Sequence, residues 1–216
     1  MIQICEMTVE GLPSVEEIRS PGPEVCAVDQ MRQVLDQARR ALCGRGTLCR
    51  DGITQLWRIV DDIARGRGRT GDIALMQDLA SVMAVAGDCP LCLTCAQLLQ
   101  ASVECHSEVW NGHIDRRRCE VLACRGCYTL HVDPAKCAGC TTCAASCPVG
   151  CIAGGQGLIH VIDNEACTRC GACVSACPQQ AIGKAGAVKP RGPEEPVPVG
   201  SFGGGTVRRR RRGRGE

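Results

Sequence analysis

The chain has 216 residues and 20 cysteines against two Trp, one Tyr and one Phe, so its core must be aliphatic or organised by metal. The N-terminal stretch MIQICEMTVEGLPSVEEI has no basic start and no long apolar run, and no segment approaches the roughly 18 apolar residues of a membrane span. A secretory leader and a membrane protein are thereby argued against, and a reducing cytoplasmic setting is expected, where dense cysteines bind metal rather than pair as disulfides. The formal net charge of +2 is uneven, because residues 184–216 hold nine basic against three acidic residues and leave the body acidic.

Residues 1–25 are irregular and broken by Pro and Gly, and no element is predicted there. A helix follows over CAVDQMRQVLDQARRAL, with Val28, Met31, Val34, Leu35, Ala38 and Leu42 near helical spacing. Next comes ALCGRGTLCRDG. Cys43 and Cys49 occupy the outer positions of a Cys-x2-Cys-x2-Cys run whose middle position is Gly46. A second helix carries Ile53, Leu56, Trp57, Val60 and Ile63 and stops at GRGRTG. Gly66-x-Gly68-x-x-Gly71 formally matches a dinucleotide-binding fingerprint, but it lies between two helices rather than after a strand and reads as a helix stop. Thr70 or Asp72 caps a third helix with Ile73, Met76, Leu79, Val82 and Met83 facing inward. The loop after it reads Cys89-Pro-Leu-Cys92-Leu-Thr-Cys95, and a fourth helix runs through AQLLQASVECHSEVW. Four short helices joined by short loops predict a small antiparallel bundle.

From about residue 128 short apolar pieces alternate with cysteine runs, and two halves repeat. VDPAKCAGCTTCAASCPVGCI returns 30 residues later as IDNEACTRCGACVSACPQQAI. Each half carries Cys-x2-Cys-x2-Cys-x3-Cys-Pro, which fits the bacterial two-cluster ferredoxin pattern. Three thiolates at this spacing wrap three corners of a cubane, and the Cys before Pro reaches the other cluster. One [4Fe-4S] cluster is therefore expected on Cys137, Cys140, Cys143 and Cys177, and a second on Cys147, Cys167, Cys170 and Cys173. Zinc knuckles are the rival reading, but zinc requires no Cys-Pro. Cys151 is read as a small buried spare thiol, and His106, His131 and His160 as ordinary surface or strand residues.

Residues 26–114 resemble the C-terminal iron–sulfur bundle of the NADH-binding flavoprotein subunit of respiratory complex I. They are closer still to its equivalent in NAD(P)-linked and electron-bifurcating [FeFe]-hydrogenases, where a two-cluster ferredoxin follows. The residues that carry the likeness are Cys43-Gly44, Cys49-Arg50-x-Gly52, the GRGRTGDI turn, NGHI and Cys89-Pro-Leu91; the middle Cys and a Pro of the family motif are missing. The resemblance implies a third [4Fe-4S] cluster in the bundle, on Cys43, Cys49 and Cys89 with Cys92, or alternatively Cys95, in the corner left by Gly46; an equivalent description makes Cys89, Cys92 and Cys95 the three-ligand run, with Cys43 or Cys49 as the remote fourth. A three-Cys cluster, zinc or no metal are the competing readings there. It further implies a structural zinc on Cys26, His113, Cys119 and Cys124, with Cys127 as a competing ligand and unliganded linker cysteines as the alternative.

The resulting expectation is an α+β chain: a small four-helix bundle, a ferredoxin-type 2[4Fe-4S] domain and a disordered C-terminal tail. The segments are 1–25 irregular, 26–114 bundle, 115–127 Cys-rich linker, 128–183 ferredoxin (repeats about 128–157 and 158–187) and 184–216 Pro/Gly/Arg tail. Only about 25 residues precede the bundle, so flavin and NAD binding are expected on another chain. By resemblance, partners are a flavin/NAD(P)H-binding subunit, a thioredoxin-like [2Fe-2S] chain, and a catalytic oxidoreductase subunit of hydrogenase or formate dehydrogenase type. The function expected is electron transfer without bond chemistry. The alternatives are a zinc-binding interaction or nucleic-acid-binding protein, for which Arg208–Arg212 and Arg214 lack stacking aromatics beyond Phe202, and an iron–sulfur redox sensor.

Overall fold

The computed structural model describes residues 11–87 and 89–202. Its described residues divide into two compact units, up to residue 128 and from residue 129.

The first unit is helical. α1 (Val15–Arg19) opens on a capping box: the Ser14 hydroxyl accepts from the Glu17 N–H, and the Glu17 carboxylate accepts from the Ser14 N–H. α2 (Ala27–Arg40) buries Val28, Met31, Val34, Leu35 and Ala38, the stripe its periodicity predicts. α3 (Thr47–Ala64) buries Ile53, Leu56, Val60 and Ile63. α4 (Asp72–Ala86) buries Met76, Ala80 and Met83 but leaves Val82 53% exposed, against the expectation that it faces inward. That helix is apolar nearly all round, so its pattern does not single out one face. α5 (Pro90–Cys105) and α6 (Ser107–Asp115) replace the single fourth helix expected. The break falls at His106, whose ring Nε2 is 2.9 Å from the Ile18 carbonyl of α1.

The four long helices, α2 to α5, make the bundle, with α2 against α3 and α4 against α5. Its centre is Met31, Leu35, Ile53, Leu56, Met76, Met83, Leu98 and Leu99, all fully buried. Each such side chain stabilises by about 1.5–3 kcal/mol relative to exposure. Gly52 sets how closely α3 meets α4, because a Cβ there would fall 2.7 Å from the Met83 sulfur. Gly66 and Gly71 lie between α3 and α4 at φ +71° and +99°, left-handed values that suit a helix end and a helix start. A short 3-10 turn, Arg125–Cys127, closes the unit against the end of α3.

The second unit holds two short antiparallel pairs and two single-turn helices. β1 (Thr129–Val132) pairs with β4 (Ile182–Ala185), Thr129 opposite Ala185. β2 (Ile152–Ala153) pairs with β3 (Val161–Ile162). α7 (Thr142–Ala145) and α8 (Ala172–Ala176) sit at equivalent points of the two repeats. The duplication extends to the backbone: the left-handed residues Gly139, Thr141 and Gly150 return as Arg169, Gly171 and Gln180. The loop aspartates match too, Asp133 accepting from the Ala135 N–H and Asp163 from the Glu165 N–H.

The segment expected to be disordered, 184–216, divides. Lys184 and Ala185 belong to β4, and residues 197–199 run beside 157–159: the Val197 carbonyl accepts from Ile159 at 2.7 Å and the Gly157 carbonyl from Val199 at 2.9 Å. The arginines from 208 onward lie outside the described residues.

Candidate metal centres

In the second unit the thiols gather as two sets that cross between the repeats. Burial, and then the neighbouring thiols of Cys137, Cys177 and Cys140, push the Cys143 thiol up. Burial and the thiols of Cys167, Cys170 and Cys147 do the same at Cys173. Thus the Cys preceding each Pro lies near the other repeat's triplet. Cys147, Cys167, Cys170 and Cys173 line one cavity with Leu130, Ile152 and Ile162. Sulfurs here meet backbone donors: the Arg169 N–H lies 3.4 Å from the Cys167 Sγ, and the Ala181 N–H 3.3 Å from the Cys177 Sγ. At Cys147 burial opposes ionisation, but the N–H groups of Cys151 and Val149 outweigh it and bring the thiol down. Four convergent thiols with N–H groups aimed at sulfur suit an iron–sulfur cluster, which needs anionic ligands and hydrogen bonds to its sulfurs.

One residue of this unit, His160, differs from its plain reading, while Cys151 is the buried thiol expected. Cys151 is buried, and its Sγ lies 3.5 Å from that of Cys147. Burial, then its bonds to Cys147 and Cys167, push its thiol up to about 12. His160, read from the sequence as ordinary, is 1% exposed with its Nδ1 3.9 Å from the Cys137 Sγ. His131 lies on β1, half-buried, and bonds the Thr129 hydroxyl at 2.7 Å.

In the bundle, Cys49 stands in the first turn of α3, Cys89 caps α5, and Cys92 and Cys95 follow on its first two turns. These three were expected on a loop. Instead, Pro90 at the first helical position starts the helix, and Cys89 is held extended at φ −116°. All four thiols are buried. Cys49 is raised by burial first, then by Cys89, Cys92 and Cys95. Cys95 is pushed up to about 12 by burial and by Cys92 and Cys89. Cys43 lies exposed on the loop before α3. The structure therefore brings Cys49, Cys89, Cys92 and Cys95 together. Each thiol raised by its neighbours is one that ionises on binding a cation, which fits a metal or cluster site.

Cys26, His113, Cys119 and Cys124 form a third group. Their ligand atoms all lie within 4.8 Å of one another, and all four residues are buried. Cys26 caps the start of α2, His113 lies in α6, and Cys119 and Cys124 in the segment that follows. The Cys26 and Cys124 sulfurs are 3.7 Å apart, and Cys26 Sγ is 3.4 Å from His113 Nε2. Tetrahedral zinc with Zn–S bonds of about 2.3 Å separates its sulfurs by about 3.8 Å, so the group has zinc dimensions. The other ring nitrogen, Nδ1, is 2.7 Å from the Val109 carbonyl, the outer hydrogen bond that fixes the tautomer of a ligating His. Burial lowers the His113 pKa, but bonds to Cys119 and Cys26 outweigh it and raise it to about 10. Cys119 is driven far down by its bonds to Cys124 and Cys26, and Cys124 correspondingly up. Cys127 is buried but stands outside this group.

Among the described residues no helix is long and apolar enough to cross a membrane. Residues 29–113 match the NADH-ubiquinone oxidoreductase-F iron-sulfur binding region, and residues 160–183 match the 4Fe-4S binding domain. A curated relative, the NADP-reducing hydrogenase subunit HndC of Solidesulfovibrio fructosivorans, is 32% identical over 151 residues, which cover 67% of this chain and 31% of the relative. The crystal structure of an NAD+-reducing [NiFe]-hydrogenase in the H2-reduced state aligns over 40% of this chain and 15% of its own, with a TM-score of 0.39 and 17% identity. The chain thus carries an NADH-ubiquinone oxidoreductase-F iron-sulfur binding region followed by a 4Fe-4S binding domain, and it is similar to part of a subunit of an NADP-reducing hydrogenase.

Proposed function

We propose that the chain is an electron-transfer subunit of a multi-subunit oxidoreductase linked to NAD(P)H, hydrogen or formate. The observation that carries this reading is the crossed pair of thiol sets in the second unit. Cys137, Cys140, Cys143 and Cys177 hold one [4Fe-4S] cluster, and Cys147, Cys167, Cys170 and Cys173 hold the other. When bound, such clusters supply one-electron carriers whose potentials follow from ligation, hydrogen bonds and burial. A third cluster in the bundle takes Cys49, Cys89, Cys92 and Cys95. The residues expected at this site included Cys43, but the buried convergence on α5 supports Cys95 in its place. Cys26, His113, Cys119 and Cys124 hold a zinc with four protein ligands and no open position, a structural rather than a catalytic arrangement. The partners are a flavin/NAD(P)H-binding chain and a catalytic subunit of hydrogenase or formate dehydrogenase type.

Anaerobic purification tests this directly. About 12 iron atoms per chain and one zinc are expected, whereas about 8 iron would restrict the clusters to the second unit. Colourless protein holding zinc alone would overturn the electron-transfer reading. In the bundle, Cys92→Ala and Cys95→Ala should each remove one cluster's EPR signal and spare the other two, while Cys43→Ala should leave all three.

A further inference from the structure

The two repeats of the second unit match in their cluster-pattern cysteines, their loop aspartates and their left-handed residues, but one of the buried positions at which they differ exchanges a hydrocarbon for an imidazole. The 30-residue period that carries Cys137 onto Cys167 carries Leu130 onto His160. Leu130 is 2% exposed and lines the cavity of Cys147, Cys167, Cys170 and Cys173. His160 is 1% exposed and turns its Nδ1 to the sulfur of Cys137, 3.9 Å away. One thiol set therefore has a hydrocarbon at this place and the other an imidazole.

The protein has made room for that ring. Gly154, at φ +145°, faces it so closely that a Cβ would sit 2.5 Å from its Cδ2. The ring's other nitrogen, Nε2, is buried without a hydrogen-bond partner. A buried histidine with one nitrogen unsatisfied is a poor packing residue, and a leucine like its counterpart would fill the space without that cost. The gain must lie at the nitrogen that has a neighbour. A cysteine bound to iron is a thiolate and only accepts, so the ring must carry its proton on Nδ1 to meet it.

We infer that His160 sets the potential of the cluster on Cys137, Cys140, Cys143 and Cys177, donating its Nδ1–H to the Cys137 sulfur and making this cluster the more easily reduced of the pair. A hydrogen bond to a ligating sulfur draws negative charge from the cluster and favours the reduced, more negative form. Electrons reaching the second unit then settle on this cluster, and the one beside Leu130 passes them on. The inference rests on the reading that both clusters are present.

The test is a potentiometric titration of the full chain at pH 8, where a free imidazole is neutral, followed by EPR with iron counted in each sample. The wild type should show two separated ferredoxin steps. His160→Phe, which keeps the bulk and removes the donor, should move the upper step down toward the lower. His160→Gln, which keeps an N–H, should restore part of the gap, and Leu130→His should raise the lower step. If His160→Phe keeps its iron and leaves the upper step in place, the inference is wrong. If that variant loses iron, Leu130→His decides: an unmoved lower step in an iron-replete protein overturns it equally. Wild-type protein without the two clusters would instead refute the underlying reading of function.

Discussion

Replacing Cys124 by Ala measures what the zinc-type group contributes to the bundle. The group ties the first residue before α2 to a segment 98 residues further along. A bond closing a loop of about 100 residues removes about 4–5 kcal/mol of chain entropy from the unfolded state, provided it is absent there. At about 4 °C per kcal/mol, where the ranges for smaller and larger domains meet, the variant should melt about 16–20 °C lower than the zinc-loaded wild type. Were the four residues merely packed thiols and a ring, the substitution would leave a small cavity worth about 1–2 kcal/mol, or about 4–8 °C. The two outcomes separate on a thermal melt followed by circular dichroism, with zinc and iron measured in both proteins. The expected result is one zinc per wild-type chain, none in Cys124→Ala, unchanged iron, and the larger drop. A wild type that holds all its iron but no zinc, or a variant that melts within about 8 °C of it, would refute the reasoning.

The remaining expectations follow from single contacts. Zinc uptake should release protons and weaken as pH falls, because His113, raised to about 10 in the metal-free protein, must give up its proton to ligate; competition with a chromophoric chelator across pH measures this. Gly126→Ala should destabilise the first unit by at least the about 1–3 kcal/mol usual for overpacking, because the new Cβ would fall 1.9 Å from the Arg65 carbonyl carbon; denaturant melts test it. Trp110→Phe should cost about 1–3 kcal/mol beyond its lost packing, because it strands the buried Ser102 hydroxyl that accepts from the indole N–H at 3.2 Å. Cys177→Ala should disturb the cluster of the first repeat although it follows the cysteines of the second. Adding Cys167→Ala should then abolish the other ferredoxin signal as well and leave that of the bundle, whereas adding Cys137→Ala should not, as EPR will show.

The parts of the fold that were readable share one property: a pattern that only one arrangement satisfies. The stripe of α2 allows a single buried face, and the 30-residue repeat fixes the second unit down to its left-handed residues. α4 offered apolar residues on every side, so only its neighbours decided that Met76, Ala80 and Met83 face in and Val82 out. The break at His106 carries no Pro or Gly; it arises because the ring reaches the Ile18 carbonyl, a partner 88 residues away. α1 was readable and was missed. Ser14-x-x-Glu17 is a capping box, and the structure forms both of its bonds.

The centres divide along the same line. A repeat announces its ligands, but it hides what lies between them, and His160 shows itself only when the register is extended upstream of the first cysteine to Leu130. The corner at Gly46 is a question of helix geometry rather than of motif. With Pro90 opening α5, Cys89 is extended at the cap, and Cys92 and Cys95, three residues apart, fall on one helix face. Gly52 lets α3 close on Met83, which brings Cys49 of the same first turns alongside. A Cβ at Gly46 would meet the Cys49 Cβ at an ordinary 3.5 Å, and its backbone, at φ −88° and ψ 118°, suits any residue, so neither crowding nor strain keeps a cysteine out. On the proposed ligand set, Cys92 and Cys95 supply the two buried sulfurs that Gly46 and the exposed Cys43 do not. The missing cysteine and the surplus ones are then one feature, with two corners moved from a loop onto a helix.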